Sequence, residues 1–285
     1  MLFLILSILC SVTVGAIFKA ARQYTISNIQ IVASNYVFAL ILCYLSFPPD
    51  VNSIGAEAPW SIYIAIGVLL PAVFLIMAAS IKHMGIVKTD AAQRLSLFIP
   101  ILAAWLIFRE EFNILKITAF MVALPALVLI LSKYTESTKN RWGYPAAVLL
   151  GYGVIDVLFK QIATYTSLPY TTSLFVVFGI ALVIMIGVVV YEVLISKQPL
   201  NIRSILFGAL VGIFNFGNIL FYLKAHQEFA DNPSTVFAGM NMGVIIIGSL
   251  TGIFIFKEKL TKMNYIGLFL ALIAIVLIVM SQHYK

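Results

Sequence analysis

The polar side chains best placed to do chemistry are the few that interrupt long apolar stretches of the chain. Asp156 stands near the middle of one such stretch, and Tyr152 precedes it by one helical turn. A charge at the centre of a bilayer costs about 2.5–3.5 kcal/mol on insertion scales, so charges at that depth usually serve a function. We therefore expect the Asp156 carboxylate to bind a substrate or to carry a proton. A local pair with Lys160, one turn further on, is the structural alternative.

Amides and one cation form the second group of candidates. Asn215 and Asn218 lie three residues apart in one apolar stretch, and Asn241 lies in the next. Amides donate and accept hydrogen bonds, so they suit a metabolite, although bonds between helices are the alternative use. Arg94, beside Gln93, lies about one turn inside another stretch. Its guanidinium suits a substrate carboxylate, or else an acidic residue one turn earlier. These residues, with Tyr152 and Asp156, are the predicted substrate-binding set.

The sequence lacks the residue patterns that other kinds of chemistry require. No phosphate-binding loop occurs, so ATP is not expected to drive the protein. His83, His226 and His283 stand near the ends of apolar stretches and are not spaced as metal ligands. Cys10 and Cys43 both lie inside apolar stretches, which argues against a disulfide framework. We expect no catalytic residue, no metal and no cofactor.

The elements that must position these residues are ten predicted membrane-spanning helices. The chain of 285 residues is 62% hydrophobic and 10% charged, whereas soluble domains carry about 25% charged residues. A spanning helix needs roughly 20 apolar residues. The net charge of +7 is placed at helix ends against lipid head groups, so the lipid bilayer and not nucleic acid is the expected partner. The predicted spans cover residues 2–18, 30–47, 60–80, 91–108, 114–132, 143–163, 170–195, 203–223, 233–256 and 263–281.

The chain also repeats itself. Phe18-Lys19 ends the first span and is followed by Tyr24-Thr25, and Phe159-Lys160 ends the sixth and is followed at the same spacing by Tyr165-Thr166. Self-similarity of this kind indicates a duplicated architecture. The sequence therefore predicts two equivalent halves.

The exits of the fourth and ninth spans extend the match. They read Phe108-Arg109-Glu110 and Phe256-Lys257-Glu258, and each precedes one last apolar helix. We predict a first five-helix repeat over 1–135 and a second over 142–285, joined by a polar linker. Because five crossings are an odd number, the second repeat enters from the opposite side and must be inverted. Inverted repeats around a midplane site are typical of secondary transporters.

With this layout, and with Pro100 in the fourth span, the chain resembles the drug/metabolite transporter superfamily, in its ten-helix EamA-type branch. Family members commonly carry a Gly-Glu pair at the two exits. The Glu positions match as Glu110 and Glu258, but Arg109 and Lys257 stand at the Gly positions. The resemblance implies a central cavity and transport of small organic metabolites, often export of amino acids.

Orientation has two readings. The resemblance implies that both termini are cytoplasmic. Most of the 18 Lys and Arg residues, however, fall on the side opposite the termini in the predicted topology, and loop Lys and Arg normally mark the cytoplasmic face. Both orientations stay open.

The sequence thus predicts a secondary transporter, a multi-pass integral protein of the cell membrane and specifically an inner membrane, working by alternating access. Export of a small, polar, amino-acid-like metabolite is the leading expectation. Sugar or nucleoside uptake is the alternative, because amides suit hydroxyl groups as well. A membrane-embedded enzyme or a lipid scramblase is the alternative of another class. Protons are the candidate coupling ion, and a monomer or a homodimer is the expected assembly.

Overall fold

The structure is a computed structural model, and it describes residues 1–21, 23–50, 54–55, 57–84, 86–131, 141, 143–165, 168–255, 257 and 261–281. Within these residues the chain forms eleven α-helices and no strand. The helices are α1 (Leu2–Ala21), α2 (Asn28–Ser46), α3 (Trp60–Met84), α4 (Ile86–Leu95), α5 (Phe98–Leu106), α6 (Ile114–Leu131), α7 (Gly143–Thr164), α8 (Tyr170–Leu194), α9 (Ile202–Glu228), α10 (Pro233–Phe254) and α11 (Lys262–Ser281). Since α4 and α5 share one predicted span, these helices make ten spans, and the predicted all-α class is confirmed.

Length and composition make this a multi-pass integral membrane protein. Among the described residues, eight helices are long and apolar enough to cross a bilayer. Two shorter apolar stretches, Ala92–Leu106 and Ile114–Leu129, complete the ten. Helices satisfy their own backbone hydrogen bonds, which hydrocarbon cannot do for them.

The fourth span is not the single continuous helix that the sequence predicted. A two-residue turn separates α4 from α5, and in it Leu97 donates its N–H to the Arg94 carbonyl (3.3 Å). Pro100 lacks an amide hydrogen and its ring displaces the carbonyl four residues earlier, which belongs to Ser96. The helix therefore tightens to i→i+3 bonding at this point. The turn follows α4 directly and lies little more than one helical turn inside the apolar stretch that begins at Ala92.

Helix packing follows a two-fold pattern. Helix α1 packs on α9 and α10, and its counterpart α7 packs on α3 and on α4–α5. Likewise α2 packs on α9 while α8 packs on α3, and α2 and α8 contact each other. Exchanging the first five spans for the last five reproduces these contacts, as expected of two equivalent halves. The repeat boundaries stay a prediction, because residues 132–140 and 142 lie outside the described residues.

Helices α6 and α11 show the relative direction of the two halves. The Asn113 side chain, before the start of α6, donates to the carbonyl of Ser281 at the end of α11 (2.9 Å). The Asn264 side chain, near the start of α11, donates to the carbonyl of Leu129 near the end of α6 (3.2 Å). The last helices of the two halves therefore run antiparallel, which is the arrangement that inverted repeats require.

Glycine allows a close approach of the backbones of α2 and α9. A Cβ atom at Gly208 would lie 2.6 Å from the Ile31 carbonyl oxygen, and one at Gly212 would lie 2.7 Å from that of Asn35. Small residues at such contacts let backbones meet in a membrane. Gly248 of α10 differs, because no described residue lies within 4 Å of a Cβ built there.

Candidate functional site

The centre of the candidate site is a carboxylate held between α7 and α9. Tyr222 donates its hydroxyl to Oδ1 of Asp156 (3.0 Å). The Tyr222 ring is buried and meets the Phe159 ring edge-on. A hydrogen bond to a buried carboxylate fixes its direction and stabilises its charge. The bond leaves Oδ2 of Asp156 without a described partner, so this oxygen can accept a further hydrogen bond.

Lys160 does not form the local pair with Asp156 that the sequence allowed. Its ammonium donates instead to the carbonyl of Ala230 (2.8 Å) and, more weakly, to that of His226 (3.4 Å). The side chain is 1% exposed. Carbonyls at the C-terminal end of a helix carry partial negative charge, so a buried cation is favourable there. Lys160 therefore closes the end of α9 and leaves Asp156 to Tyr222.

A polar strip on α9 continues from Tyr222 toward the middle of the bundle. The Ser7 hydroxyl of α1 lies 2.8 Å from Oδ1 and 3.0 Å from the main-chain oxygen of Asn218. It also lies 3.5 Å from the sulfur of Met240 on α10. Asn218 is half-buried. It therefore faces the contact of α1, α9 and α10, one turn from Tyr222.

Two of the predicted amides are engaged in packing. Asn215 donates its side-chain N–H to Oδ1 of Asn35 (3.1 Å), so it faces α2 and not α7. Asn241 donates to the Phe237 carbonyl of its own helix (3.0 Å). The Asn215 bond is the interhelical alternative that the sequence offered, whereas the local bond of Asn241 was not predicted.

The remaining candidates lie on α7 and α4. Tyr152 lies one turn from Asp156 on α7, and its hydroxyl contacts the sulfur of Met77 on α3 (3.3 Å). Gln93 and Arg94 are half-buried in the last turn of α4, beside the two-residue turn. The structure thus brings together Tyr152, Asp156 and, through Tyr222, the strip of α9. Gln93 and Arg94 lie at the end of α4, a helix that packs on α7.

His226 lies beside Tyr222 but was not among the residues predicted from the sequence. Its side chain is 0% exposed, and neither ring nitrogen has a hydrogen-bond partner among the described residues. The ring meets those of Tyr222 (4.6 Å between centroids) and Phe237 (4.8 Å) edge-on. Helical spacing was the available indication, because Asn215, Asn218, Tyr222 and His226 follow one another at three or four residues.

A buried ionic cluster closes the end of the helix bundle at which Met1 lies. Lys116 donates to Oε1 of Glu110 (2.6 Å) and to the side-chain oxygen of Asn232 (3.1 Å). Glu110 also accepts from Ser234, from its N–H (2.9 Å) and from its hydroxyl (2.6 Å). Lys116 is 2% exposed and Glu110 4% exposed. The carboxylate thus sits at the N-terminal end of α10, where the helix dipole favours a negative charge.

The backbone before Glu110 explains the family's glycine. Arg109 has φ 52°, in the left-handed region, and the turn lets the Glu110 N–H reach the Ala104 carbonyl (2.9 Å). Lys257, at the equivalent exit, also has φ 52°. Glycine adopts this conformation without steric cost, whereas other L-residues lose about 1–2 kcal/mol. Glu258 itself lies outside the described residues.

No set of three metal-ligating side chains occurs in the part of the chain that the structure describes. The site is built instead from one carboxylate, amides, hydroxyls and aromatic rings. Such groups bind a small polar molecule through directed hydrogen bonds.

Comparison with known proteins agrees with this picture. The sequence profile of the EamA-like transporter family matches residues 141–280. An uncharacterized protein of Haemophilus influenzae is 42% identical over 282 residues, covering 95% of each chain. The glucose uptake protein GlcU of Bacillus subtilis is 29% identical over 207 residues, 69% of each chain. A solved crystal structure superposes with a TM-score of 0.72 at 13% identity, covering 100% of this chain and 98% of that one.

The relative that matches 95% of the chain, the family profile and the helical layout agree with one another. The chain belongs to the EamA-like transporter family, within the drug/metabolite transporter superfamily, and is a multi-pass integral membrane transporter.

Proposed function

We propose that the protein takes up a small neutral polyhydroxy solute, with a hexose such as glucose as the first candidate. The observation that carries this proposal is that the buried lysines already have protein partners. Lys160 is bound by backbone carbonyls and Lys116 by Glu110 and Asn232. A solute carboxylate would have to displace those partners, whereas hydroxyl groups need only the amides, hydroxyls and acceptor oxygen of the site.

The solute contacts would come from the layer between α1, α7, α9 and α10. Oδ2 of Asp156 would accept from one hydroxyl group. The Asn218 amide would serve a second, after exchange of its bond with Ser7. Tyr152 would add a hydroxyl and an aromatic face one turn away. The similarity to a glucose uptake protein supports this solute class and favours uptake over the export that the sequence first indicated.

Alternating access between the halves is the proposed mechanism. The two-fold packing of the helices and the antiparallel course of α6 and α11 support it. The Glu110 cluster joins the exit of the fourth span to the start of α10, so it connects the two proposed halves. Opening that end would require Glu110 to release Ser234.

The solute class is tested by uptake of radiolabelled glucose into liposomes that contain the purified protein. We expect saturable uptake that competing hexoses inhibit and amino acids do not. Asn218→Ala should raise KM at least about tenfold, since a lost hydrogen bond to a bound solute costs on the order of 1.4 kcal/mol or more. Ser7→Ala is the matched control, because it removes the partner of Asn218 and leaves the amide. Absence of glucose uptake by the wild type would refute the proposal.

Export of an amino-acid-like solute is the second candidate, favoured by half-buried Arg94 at the end of α4. The two candidates differ in their need for this cation. Arg94→Gln should leave glucose KM within about threefold of wild type if the solute is a neutral polyol. Loss of transport of an amino acid on the same substitution would support the second candidate, because a bidentate pair with the carboxylate would be gone.

Protons are the proposed coupling ion, and Asp156 is the proposed carrier. The carboxylate lies well inside the long apolar helix α7 and accepts a hydrogen bond from Tyr222. Asp156→Asn keeps the shape and removes the titratable group. Accumulation driven by a pH gradient should disappear in this variant, while exchange of labelled for unlabelled solute persists. Gradient-driven accumulation equal to wild type would rule out Asp156 as the carrier.

A further inference from the structure

We propose that the His226 side chain binds hydroxyl groups of the transported solute on the side of the site nearer the Glu110 cluster. The inference rests on the proposed function and adds a specificity-determining residue to it. Burial of an unsatisfied donor or acceptor costs free energy, so such groups in folded proteins require an explanation. His226 has two such atoms in one ring when the described residues are considered, at 0% exposure.

The chemistry of the ring matches the solute. A neutral imidazole carries one N–H donor and one acceptor nitrogen. A polyol offers both groups in each hydroxyl, so one solute can satisfy both ring nitrogens. An ammonium group only donates and a carboxylate only accepts, so either group alone would satisfy one of the two nitrogens. The ring therefore favours hydroxyl-rich solutes over solutes that carry just one of these charged groups.

The position of the ring places it along a solute path. His226 is one turn from Tyr222, which holds Asp156, and its ring meets that of Tyr222. On its other side it meets Phe237, one turn into α10 from Ser234, which binds Glu110. The imidazole thus lies between the partner of Asp156 and the partner of Glu110, so a solute that moved from Asp156 toward the cluster would meet it.

The backbone around the ring is held in place. Lys160 donates to the main-chain oxygens of His226 and Ala230, on either side of the end of α9. The rings of Tyr222 and Phe237 pack against two edges of the imidazole. A site on a rigid element holds a ligand with less loss of entropy than a mobile one. The unpaired nitrogens are therefore oriented before the solute arrives.

The test compares His226→Phe with wild type in two measurements on the full-length protein. Phenylalanine keeps a planar ring between Tyr222 and Phe237 and removes both nitrogens. We expect the glucose KM to rise at least about tenfold, while the melting temperature without glucose stays equal or rises. His226→Gln, which restores a donor and an acceptor, should recover part of the lost affinity. His83→Phe is the matched control, since this exposed histidine stacks on Tyr144 (5.1 Å) away from the site.

The outcomes separate this inference from the proposed function. An unchanged glucose KM in His226→Phe would overturn the inference. If the melting temperature also fell, the ring would serve stability and not solute binding. Absence of glucose uptake by the wild type would overturn the hexose proposal instead. In that case a thermal-shift panel of pentoses, nucleosides and amino acids decides. A compound that stabilises wild type and not His226→Phe supports the inference, and its absence refutes it.

Discussion

Removal of the Glu110 carboxylate should destabilise the protein more than any other single change at its Met1 end. The carboxylate accepts three hydrogen bonds, from Lys116 Nζ and from the N–H and hydroxyl of Ser234. In Glu110→Ala, the ammonium of Lys116 would stay buried with Asn232 as its remaining described partner. Breaking a buried ion pair by deleting one member costs about 3–5 kcal/mol.

The assay is thermal unfolding of purified protein in detergent, followed by the fluorescence of its tryptophans. One kcal/mol lowers the melting temperature by roughly 2–4 °C in chains of 150–250 residues, so Glu110→Ala should melt at least about 6 °C below wild type. Glu111→Ala is the matched control, because the neighbouring carboxylate is exposed. An exposed charge contributes about 0–1 kcal/mol, so that control should melt near wild type.

A double-mutant cycle distinguishes the ion pair from other effects of the substitution. Lys116→Met and Glu110→Gln should each destabilise, because each leaves one buried polar group without its partner. Their combination should cost less than the sum, with a coupling energy on the order of 1–3 kcal/mol. Additive costs, or a Glu110→Ala variant as stable as Glu111→Ala, would refute the reasoning from burial.

Three further predictions concern stability. Arg109→Gly should stabilise by about 0.5–1 kcal/mol, since glycine adopts the left-handed backbone freely. Arg109→Ala, which also removes the charge but keeps the Cβ atom, should not. Gly208→Ala should destabilise by about 1–3 kcal/mol through its clash with Ile31, whereas Gly187→Ala, with nothing within 4 Å, should not. Tyr36→Phe should stabilise by up to about 1 kcal/mol, because it removes a buried hydroxyl without a described partner. Thermal unfolding checks all three, and the opposite sign in any of them contradicts its argument.

Much of the fold could be predicted because it follows from local properties. Apolar length determines where a helix can span, and the similarity of the Glu-bearing exits indicated the duplication. The break in the fourth span was harder to place. Three spans contain a proline beyond their first turn, yet Pro71 and Pro125 lie inside the undivided helices α3 and α6. Of these three, the span with Pro100 is the one that divides among the described residues, so a proline alone does not predict the break.

The site could be predicted only in part, since partners from other helices are not visible in one sequence. Spacing placed Asp156 with Tyr152 on one face of α7, but it could not show the hydrogen bond from Tyr222 of α9. It grouped Asn215 with Asn218, although one faces α2 and the other α1. His226 stands near a helix end, where titratable residues usually face water or head groups. Its complete burial depends on Phe237, which is in the next helix.

The two halves share a fold but not the charge at their exits. Glu110 is followed six positions later by Lys116, and Glu258 is followed at the same spacing by Asn264. Lys116 forms a buried ion pair. Asn264 caps its own helix through Thr261 and bonds a carbonyl of α6. A neutral amide cannot supply the electrostatic energy of an ammonium. Among the described residues, position 116 therefore contributes a buried ion pair, whereas position 264 contributes hydrogen bonds. For the alternating access proposed above, we expect this difference to make the two opposite conformations unequal in energy.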